Sequence, residues 1–198
     1  AFEMSAAAFD LADRLQTPVF VMMDLDIGMN QRLCDPLEWD DGRRYDRGKV
    51  MTREMLERGE EFARYLDVEN DGIAYRTYPG THPTEGAYFT RGTTKDSEAK
   101  YSEAGPDYVE NMQRLLRKFD TAKELVPKPV RQWNDPPSKC GVIYYGSTSP
   151  AMIEAFEALK TGGLGIDGLR IRAFPFGDEV ENFIRNHQHV FIVEQNRD

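Results

Sequence analysis

Residues 141–193 read GVIYYGSTSPAMIEAFEALKTGGLGIDGLRIRAFPFGDEVENFIRNHQHVFIV, and the order of their apolar runs and turn signals decides the fold class. The runs at 141–145, 169–173 and 189–193 predict three strands. Segments long enough for a helix separate the runs, so we expect parallel strands with right-handed crossovers. The stretch predicts a small βαβαβ domain, and three strands are few enough that we expect more to follow in the native protein.

Two helices are predicted between these strands. Ser149 is a favoured N-cap residue and Pro150 suits a first helical turn, so the first helix runs to about Lys160. Asp178 is expected to cap the second helix. Residues 163–168 match G-x-G-x-x-G, but they follow a helix and precede a strand, which is the reverse of a dinucleotide site.

The first 25 residues predict one helix and one strand. Apolar side chains recur at helical spacing over 2–15, and the run VFVMM at 19–23 has the uninterrupted apolar character of a strand that is buried on both faces. One helix and one strand cannot form a parallel sheet by themselves. We therefore expect residues 1–30 to be the end of a larger α/β domain, and the chain to be a fragment.

A long polar region, residues 31–137, separates the two ends of the chain. Helices are predicted near 52–65 and 107–124, the second from apolar residues at i, i+3, i+7 and i+10. Four prolines make 126–138 a stiff, extended linker. A domain boundary near residue 137 follows, with the parallel-sheet domain in 138–198.

Composition limits the class of protein. A net charge of -9 over 198 residues disfavours nucleic acid as a partner. No apolar run approaches the roughly 20 residues that a membrane-spanning helix needs. Cys34 and Cys140 are too few for a disulfide framework or an iron–sulfur site, which is typical of the reducing cytoplasm. We expect a cytoplasmic protein that contacts neither nucleic acid nor membrane.

Two metal-binding patterns are incomplete. Residues 67–72 begin like a calcium loop, but Tyr78 stands where the bidentate Glu is needed, which favours a polar turn. His82, His187 and His189 lack the i, i+4 spacing of a zinc-binding pair. We predict no metal site and no catalytic residue.

His82 and Arg91 are the first candidates for contact with a substrate or cofactor. They belong to a loop at 79–94 that is rich in Gly and Thr. Arg91 in such a loop is suited to hold an anion with two hydrogen bonds. The same loop is equally suited to fixing a subunit interface.

The carboxyl ends of the predicted strands supply four further candidates. Ser147 and Thr148 begin a helix, where free amides attract anions, although capping and interface contacts explain them at least as well. Asn196 and Arg197 follow the last strand. Ligands of open parallel sheets bind beyond this edge, so we expect these residues near a ligand.

Ordered segments along nearly the whole chain carry a family resemblance. The chain is similar to the alpha subunit of bacterial 2-oxoglutarate:ferredoxin (2-oxoacid:acceptor) oxidoreductases, and it resembles a C-terminal fragment of that subunit. The segments are QTPVFVMMDLD (16–26), YPGTHP (78–83), GAYFTRG (86–92), NMQRLLRKF (111–119), GVIYYG (141–146), RAFPF (172–176) and VEQNRD (193–198).

The resemblance implies the domains and the partners. Residues 1–30 would end a thiamine pyrimidine-binding-type domain, 31–137 would be an irregular helical connector, and 138–198 would be a transketolase C-terminal-like domain. Thiamine diphosphate, Mg²⁺ and a [4Fe-4S] cluster would belong to the complete complex, with none bound by this fragment alone. The implied partners are a beta subunit and, through the complex, ferredoxin and coenzyme A, in an oligomer.

The resemblance also implies the reaction. The reaction is the oxidative decarboxylation of a 2-oxoacid to acyl-CoA, carbon dioxide and reduced ferredoxin, and 2-oxoglutarate is the expected substrate. The family's Tyr-Pro-Ile-Thr-Pro and Arg-Gly-Gly-Pro-Ser-Thr-Gly segments do not occur in these residues, so the fragment is expected to be inactive alone and mainly structural and interface-forming. Two alternatives stay open: a non-catalytic α/β interaction domain, and a small nucleotide-binding α/β protein that uses residues 146–148.

Overall fold

The structure is a computed structural model that describes residues 1–31 and 33–194. The chain folds as two compact units: unit 1 is Ala1–Val21 with Asp41–Ala122, and unit 2 is Met22–Asp40 with Lys123–Asp198. In chain order the described helices are α1 (Phe2–Leu15), α2 (Leu25–Met29), α3 (Arg53–Glu57), α4 (Gly105–Leu125), α5 (Thr148–Thr161) and α6 (Asp178–Asn186). The described strands are β1 (Val130–Gln132), β2 (Cys140–Tyr144), β3 (Asp167–Arg170) and β4 (His189–Val193).

Unit 2 contains a four-stranded sheet in the order β1-β3-β2-β4. Strand β2 lies parallel to both β3 and β4, and β1 is antiparallel to β3. Helices α5 and α6 connect the three parallel strands along the chain. The βαβαβ pattern predicted from residues 141–193 is therefore confirmed, and the fold class is mixed α/β with a small, mostly parallel sheet.

Strand β1 is the part of the sheet that the sequence does not predict. It lies inside the proline-rich segment 126–138, and Val130 and Gln132 pair with Arg170 and Gly168 of β3. All three of its residues are exposed, so no buried apolar pattern marks it as a strand. The sheet therefore begins before residue 137, while the assignment of 1–30, 31–137 and 138–198 to named domains stays a prediction.

Two clusters of buried side chains cover the two faces of the sheet. Consecutive residues of β2 belong to different clusters, because successive side chains of a strand point to opposite faces. A helix covers each face, which is why β2 is apolar along its length instead of alternating. The first cluster is Val142, Tyr144, Met152 and Phe156, and the second is Ile143, Leu169, Val180 and Phe183.

Helices α5 and α6 of unit 2 begin close to their predicted starts but with different caps. Helix α5 has Ser147 at its N-cap position, two residues before the predicted Ser149. Helix α6 begins at Asp178 itself, with Gly177 as N-cap. Asp178 thus contributes a negative charge to the first turn, where the helix dipole favours it, and does not cap the helix.

A buried carboxylate attaches the segment after β1 to the sheet. Asp167 of β3 has no exposed surface, and its oxygens accept hydrogen bonds from the Asn134 amide at 2.7 Å and the Ser138 amide at 3.0 Å. His187 Nε2 lies 3.2 Å from the same carboxylate. Burial raises the pKa of Asp167, but these hydrogen bonds outweigh it, so the net pKa lies below the usual value.

In unit 1, helices α1 and α4 confirm the predictions for 2–15 and 107–124. The helix predicted near 52–65 is wrong in length, because α3 covers only Arg53–Glu57. Gly59 ends it with a positive φ of 77°, and its amide donates a hydrogen bond to the Leu56 carbonyl. Glycine adopts this left-handed conformation readily, which makes it a common helix terminator.

The strand predicted at 19–23 is also wrong. The chain is not a strand there, and the side chains of Phe20 and Met22 are 81% and 86% exposed. Because a strand needs a neighbour for its backbone hydrogen bonds, apolar composition alone cannot make one. No described strand pairs with this run.

Candidate functional site

The start of α5 carries the predicted residues Ser147 and Thr148. Thr148 is buried, and the Ser147 amide donates a hydrogen bond of 3.0 Å to Asp24 Oδ2. The other oxygen of the same carboxylate accepts a bond of 2.8 Å from the Ile27 amide at the start of α2. One side chain, Asp24, therefore serves the first turns of two helices.

The Asp24 carboxylate lies where the sequence predicted an external anion. Hydrogen bonds from the Ser147 side chain and from the Ile27 and Ser147 amides lower the pKa of Asp24, so it is ionised at neutral pH. A Cβ added to Gly146 would lie 3.0 Å from Asp24 Oδ2, which shows how closely the loop approaches the carboxylate. Ser147 occupies the N-cap position without a capping hydrogen bond from its side chain, and an anionic ligand at its amide would have to displace Asp24.

His82 organises its own turn. Its Nδ1 accepts hydrogen bonds from the amides of Thr84 at 3.2 Å and Glu85 at 2.9 Å. Beside it, Thr81 Oγ1 donates a bond of 2.8 Å to the Tyr78 carbonyl. Nδ1 of His82 is therefore an acceptor for backbone groups, and Nε2 is the nitrogen that a ligand would meet.

Arg91 lies in the same unit as His82. It is exposed, and its guanidinium carbon lies 5.8 Å from the centre of the Tyr101 ring. In the described part of the chain no hydrogen bond or ion pair joins Arg91 to His82. Contact of either residue with a ligand stays a prediction, and Asn196 and Arg197 lie outside the described residues.

A cleft in unit 1 brings together cations that the sequence analysis missed. It is an open space of about 270 Å³ between α4, the end of α1 and the loops at 64–65 and 72–74. We name it the cationic cleft. Its lining residues are Leu15, Gln16, Arg64, Tyr65, Gly72, Ile73, Ala74, Arg114 and Lys118.

Gly72 allows the loop at 67–72 to lie directly on α4. Its φ is 82°, and an added Cβ would lie 2.3 Å from the Lys118 amide nitrogen. Asp67 holds the loop together, because its carboxylate accepts from the amides of Asp71 and Gly72 and from Arg117 Nε. The resemblance of 67–72 to a calcium loop therefore reflects a polar turn, whose acidic oxygens are engaged by protein donors.

The charges in the cationic cleft repel one another. Burial, followed by the charges of Arg114 and Arg64, lowers the pKa of Lys118 to about 8. Burial also lowers the pKa of Arg114. At neutral pH all three side chains are still charged, so the folded protein holds unfavourable positive potential at this place. Only Arg114 and Lys118, which are four residues apart on one helix, could have been paired from the sequence.

Residues 1–31 and 33–194 contain neither a metal-binding cluster nor a helix that could span a membrane. No three His, Cys, Asp or Glu side chains of these residues are arranged to hold a metal ion. None of the helices found there is long and apolar enough to cross a bilayer.

Comparison with known proteins shows which proteins the chain is similar to. No protein-family model matches the chain. Over 202 residues, 99% of the chain, it is 27% identical to the alpha subunit of 2-oxoacid:ferredoxin oxidoreductase 2 from Aeropyrum pernix. It is 25% identical over 201 residues to the alpha subunit of 2-oxoacid:ferredoxin oxidoreductase from Saccharolobus solfataricus. The predicted resemblance to these alpha subunits is confirmed.

The chain spans 30% of the length of each of these alpha subunits, which is consistent with the predicted fragment. A solved structure shares the fold: 2-oxoglutarate:ferredoxin oxidoreductase from Magnetococcus marinus, with 2-oxoglutarate, coenzyme A and succinyl-CoA bound. Its TM-score is 0.80 at 18% identity, over 98% of this chain and 33% of that chain. Both units of the present chain thus follow the fold of a 2-oxoacid:ferredoxin oxidoreductase.

Proposed function

We propose that the chain is a C-terminal part of the alpha subunit of a cytoplasmic, thiamine-dependent 2-oxoglutarate:ferredoxin oxidoreductase. The observation that carries the proposal is the similarity to two alpha subunits over 99% of the chain. In the proposed reaction, 2-oxoglutarate and coenzyme A become succinyl-CoA and carbon dioxide. Two electrons pass singly to ferredoxin.

The described residues do not fit the cofactors of this reaction. Only two cysteines occur in the sequence, fewer than the four that a [4Fe-4S] cluster uses. The amide of Ser147 at the start of α5 is bonded to Asp24 and is not open to a diphosphate. We therefore assign thiamine diphosphate, Mg²⁺ and the cluster to a beta subunit and to the rest of the complex. Bound there, thiamine diphosphate would supply the electron sink for decarboxylation.

The role that we propose for these residues is to form part of the frame and of the subunit interface. An exposed run of large apolar side chains in unit 2 supports it, and we name it the apolar segment, residues 22–39. A concentration of exposed large apolar side chains is typical of surfaces that bind other proteins. Its exposed members are Met22 (86%), Leu25 (78%), Met29 (74%), Leu33 (106%), Leu37 (67%) and Trp39 (51%).

Anaerobic purification of the natural protein with its beta subunit tests the proposal. We expect the complex to reduce a viologen dye only when both 2-oxoglutarate and coenzyme A are present. Pyruvate in place of 2-oxoglutarate should give a much slower rate. A complex that contains thiamine diphosphate and iron but reduces no dye with any 2-oxoacid would overturn the proposal, whereas a preference for pyruvate would overturn only the choice of substrate.

A non-catalytic interaction domain is the second candidate, because the apolar segment also suits a partner without redox chemistry. Co-purification of a stoichiometric partner that lacks iron and thiamine diphosphate would favour it. For the nucleotide-binding alternative, we expect no thermal stabilisation by millimolar nucleotide at the start of α5, because Asp24 engages the Ser147 amide.

A further inference from the structure

None of the three cations of the cationic cleft forms an ion pair in the part of the chain that the structure describes, although the charge of Asp67 acts on Arg114. Arg64 stacks over the rings of Tyr65 and Tyr88, at 5.2 and 5.8 Å from their centres. Lys118 Nζ makes one long hydrogen bond of 3.4 Å to the Gln16 carbonyl. In a protein with a net charge of -9, three neighbouring cations that form no ion pair are unexpected.

Two other cations of the same unit, Arg117 and Lys49, form ion pairs with carboxylates. Arg117, one residue before Lys118, lies 2.9 Å from Asp67. Lys49 lies 2.8 Å from Asp71 and 3.1 Å from Glu69. Arg64, Arg114 and Lys118 thus differ from Arg117 and Lys49, which have carboxylate partners close by.

Arg114 provides an unused donor at the same place. Its Nη1 donates a hydrogen bond of 3.0 Å to the Gly72 carbonyl, but its buried Nε has no hydrogen-bond partner in the described part of the chain. Buried donors are nearly always satisfied by protein, water or ligand. Arg114 lines the cleft, so an acceptor bound there would lie near this side chain.

We propose that the cationic cleft binds a phosphate group, held by Arg64, Arg114 and Lys118. Two guanidinium groups and one ammonium supply more positive charge than a single carboxylate neutralises, and arginine forks match the oxygens of phosphate. Only about 50 Å³ of the cleft can hold water-sized groups, which is far below the roughly 300 Å³ at which pockets for drug-sized ligands begin. The ligand is therefore free phosphate or a small organic phosphate, and this inference does not depend on the proposed oxidoreductase activity.

The pKa of Lys118 agrees with this assignment. A bound dianion would offset the repulsion from Arg114 and Arg64 and raise that pKa from about 8 towards the usual value. Binding above neutral pH should therefore be accompanied by proton uptake. Sulfate is the suitable probe of this uptake, because it keeps its charge throughout the range.

Isothermal titration of the purified full-length protein with inorganic phosphate at pH 7 and constant ionic strength tests the proposal. We expect one saturable site, and a loss of affinity of at least about tenfold in Lys118→Gln and in Arg64→Gln. Lys100→Gln is the matched control, since it removes the same charge from a side chain that is 73% exposed and pairs with Glu98 outside the cleft. Lys118→Arg, which retains the charge, should bind within a few-fold of the parent.

Further titrations identify the source of the phosphate group. Tighter binding of glycerol phosphate than of inorganic phosphate would indicate a small organic phosphate, and the reverse would indicate the free ion. Binding that is no stronger than that of chloride, equal losses in Lys118→Gln and Lys100→Gln, or a preference for acetate or succinate would each overturn the proposal. Circular dichroism checks that every variant is folded.

Discussion

At the scale of single residues, the lowered pKa of Lys118 gives the clearest prediction of how stability depends on pH. Its folded-state pKa is about 8, below the value of about 10.4 in an unfolded chain. The folded state therefore binds fewer protons than the unfolded state between these two values, and stability increases with pH across that window. Below pH 8 the charged ammonium destabilises the folded protein in full.

Replacing Lys118 by Gln should raise the free energy of unfolding at pH 7, because it removes a charge that is disfavoured by burial and by repulsion from Arg114 and Arg64. The advantage of the variant should shrink as the pH rises from 8 to 10. Urea unfolding of both proteins at pH 7, 8, 9 and 10 measures this. An advantage that does not change with pH would show that the charge of Lys118 is not its cause.

Asp167 also makes stability increase with pH, but it does so in the acid range and as a stabilising group. Its folded-state pKa is lowered, so its contribution to stability is present above the unfolded value of about 3.9 and is lost as the pH falls through the folded value. Asp167→Asn should lower the free energy of unfolding at pH 7 by about 2–4 kcal/mol, since buried amides of Asn134 and Ser138 lose a charged acceptor. It should also weaken the acid sensitivity below pH 4.

The control for Asp167 is Asp35→Asn, at an exposed position of unit 2. It should change the free energy of unfolding by less than about 0.5 kcal/mol. Equal effects of the two substitutions would show that the hydrogen bonds to Asp167 contribute little.

At the scale of elements, the loop at 67–72 owes its position on α4 to a glycine. Gly72→Ala should lower the free energy of unfolding by more than about 3 kcal/mol, because the new Cβ would lie 2.3 Å from the Lys118 amide nitrogen and φ is positive. Gly80→Ala measures the cost of the positive φ alone, because φ is 84° and nothing lies within 4 Å of the added Cβ. Its cost should be about 1–2 kcal/mol.

Chemical denaturation of the two glycine variants compares close packing with backbone strain. If both lose the same stability, the loop does not need its close approach to α4. We would then expect the cationic cleft to tolerate a more distant loop.

The elements differ in how far the sequence predicts them. Strand β2 and the helices α5 and α6 follow from their apolar patterns because their own side chains build the core. Strand β4 follows from its apolar run, although its residues are exposed or half-buried. The sequence-based prediction misses strand β1 and wrongly predicts a strand at 19–23. Strand β1 is exposed and owes its pairing to β3, whereas 19–23 is an apolar run without a paired neighbour among the described strands. Both depend on the surroundings, which local sequence does not contain.

The candidate sites show the same limit. His82 and Ser147 can be singled out from their loop and helix-start contexts, but their partners, the local amides and Asp24, cannot. The cationic cleft joins Gln16, Arg64 and Lys118, and only the tertiary fold makes these residues neighbours. Within the local sequence, the cleft is indicated by the i, i+4 spacing of Arg114 and Lys118.

At the scale of the whole molecule, the apolar segment should matter for assembly more than for folding. Leu33→Glu places a charge at a side chain that is fully exposed in this chain. We expect a change in unfolding free energy below about 0.5 kcal/mol, but at least about tenfold weaker association with the beta subunit. Analytical ultracentrifugation measures the association, and Glu38→Gln, an exposed change in the same segment, should leave it intact.

The similarity to alpha subunits over 99% of the chain makes ferredoxin reduction the central expectation. The most direct measurement is the amount of ferredoxin reduced for each succinyl-CoA formed by the purified complex with 2-oxoglutarate and coenzyme A. With a ferredoxin that carries one single-electron cluster, we predict two ferredoxins reduced for each succinyl-CoA, and no reduction when either substrate is omitted. Ferredoxin that stays oxidised in a complex with all its cofactors would contradict the proposed function.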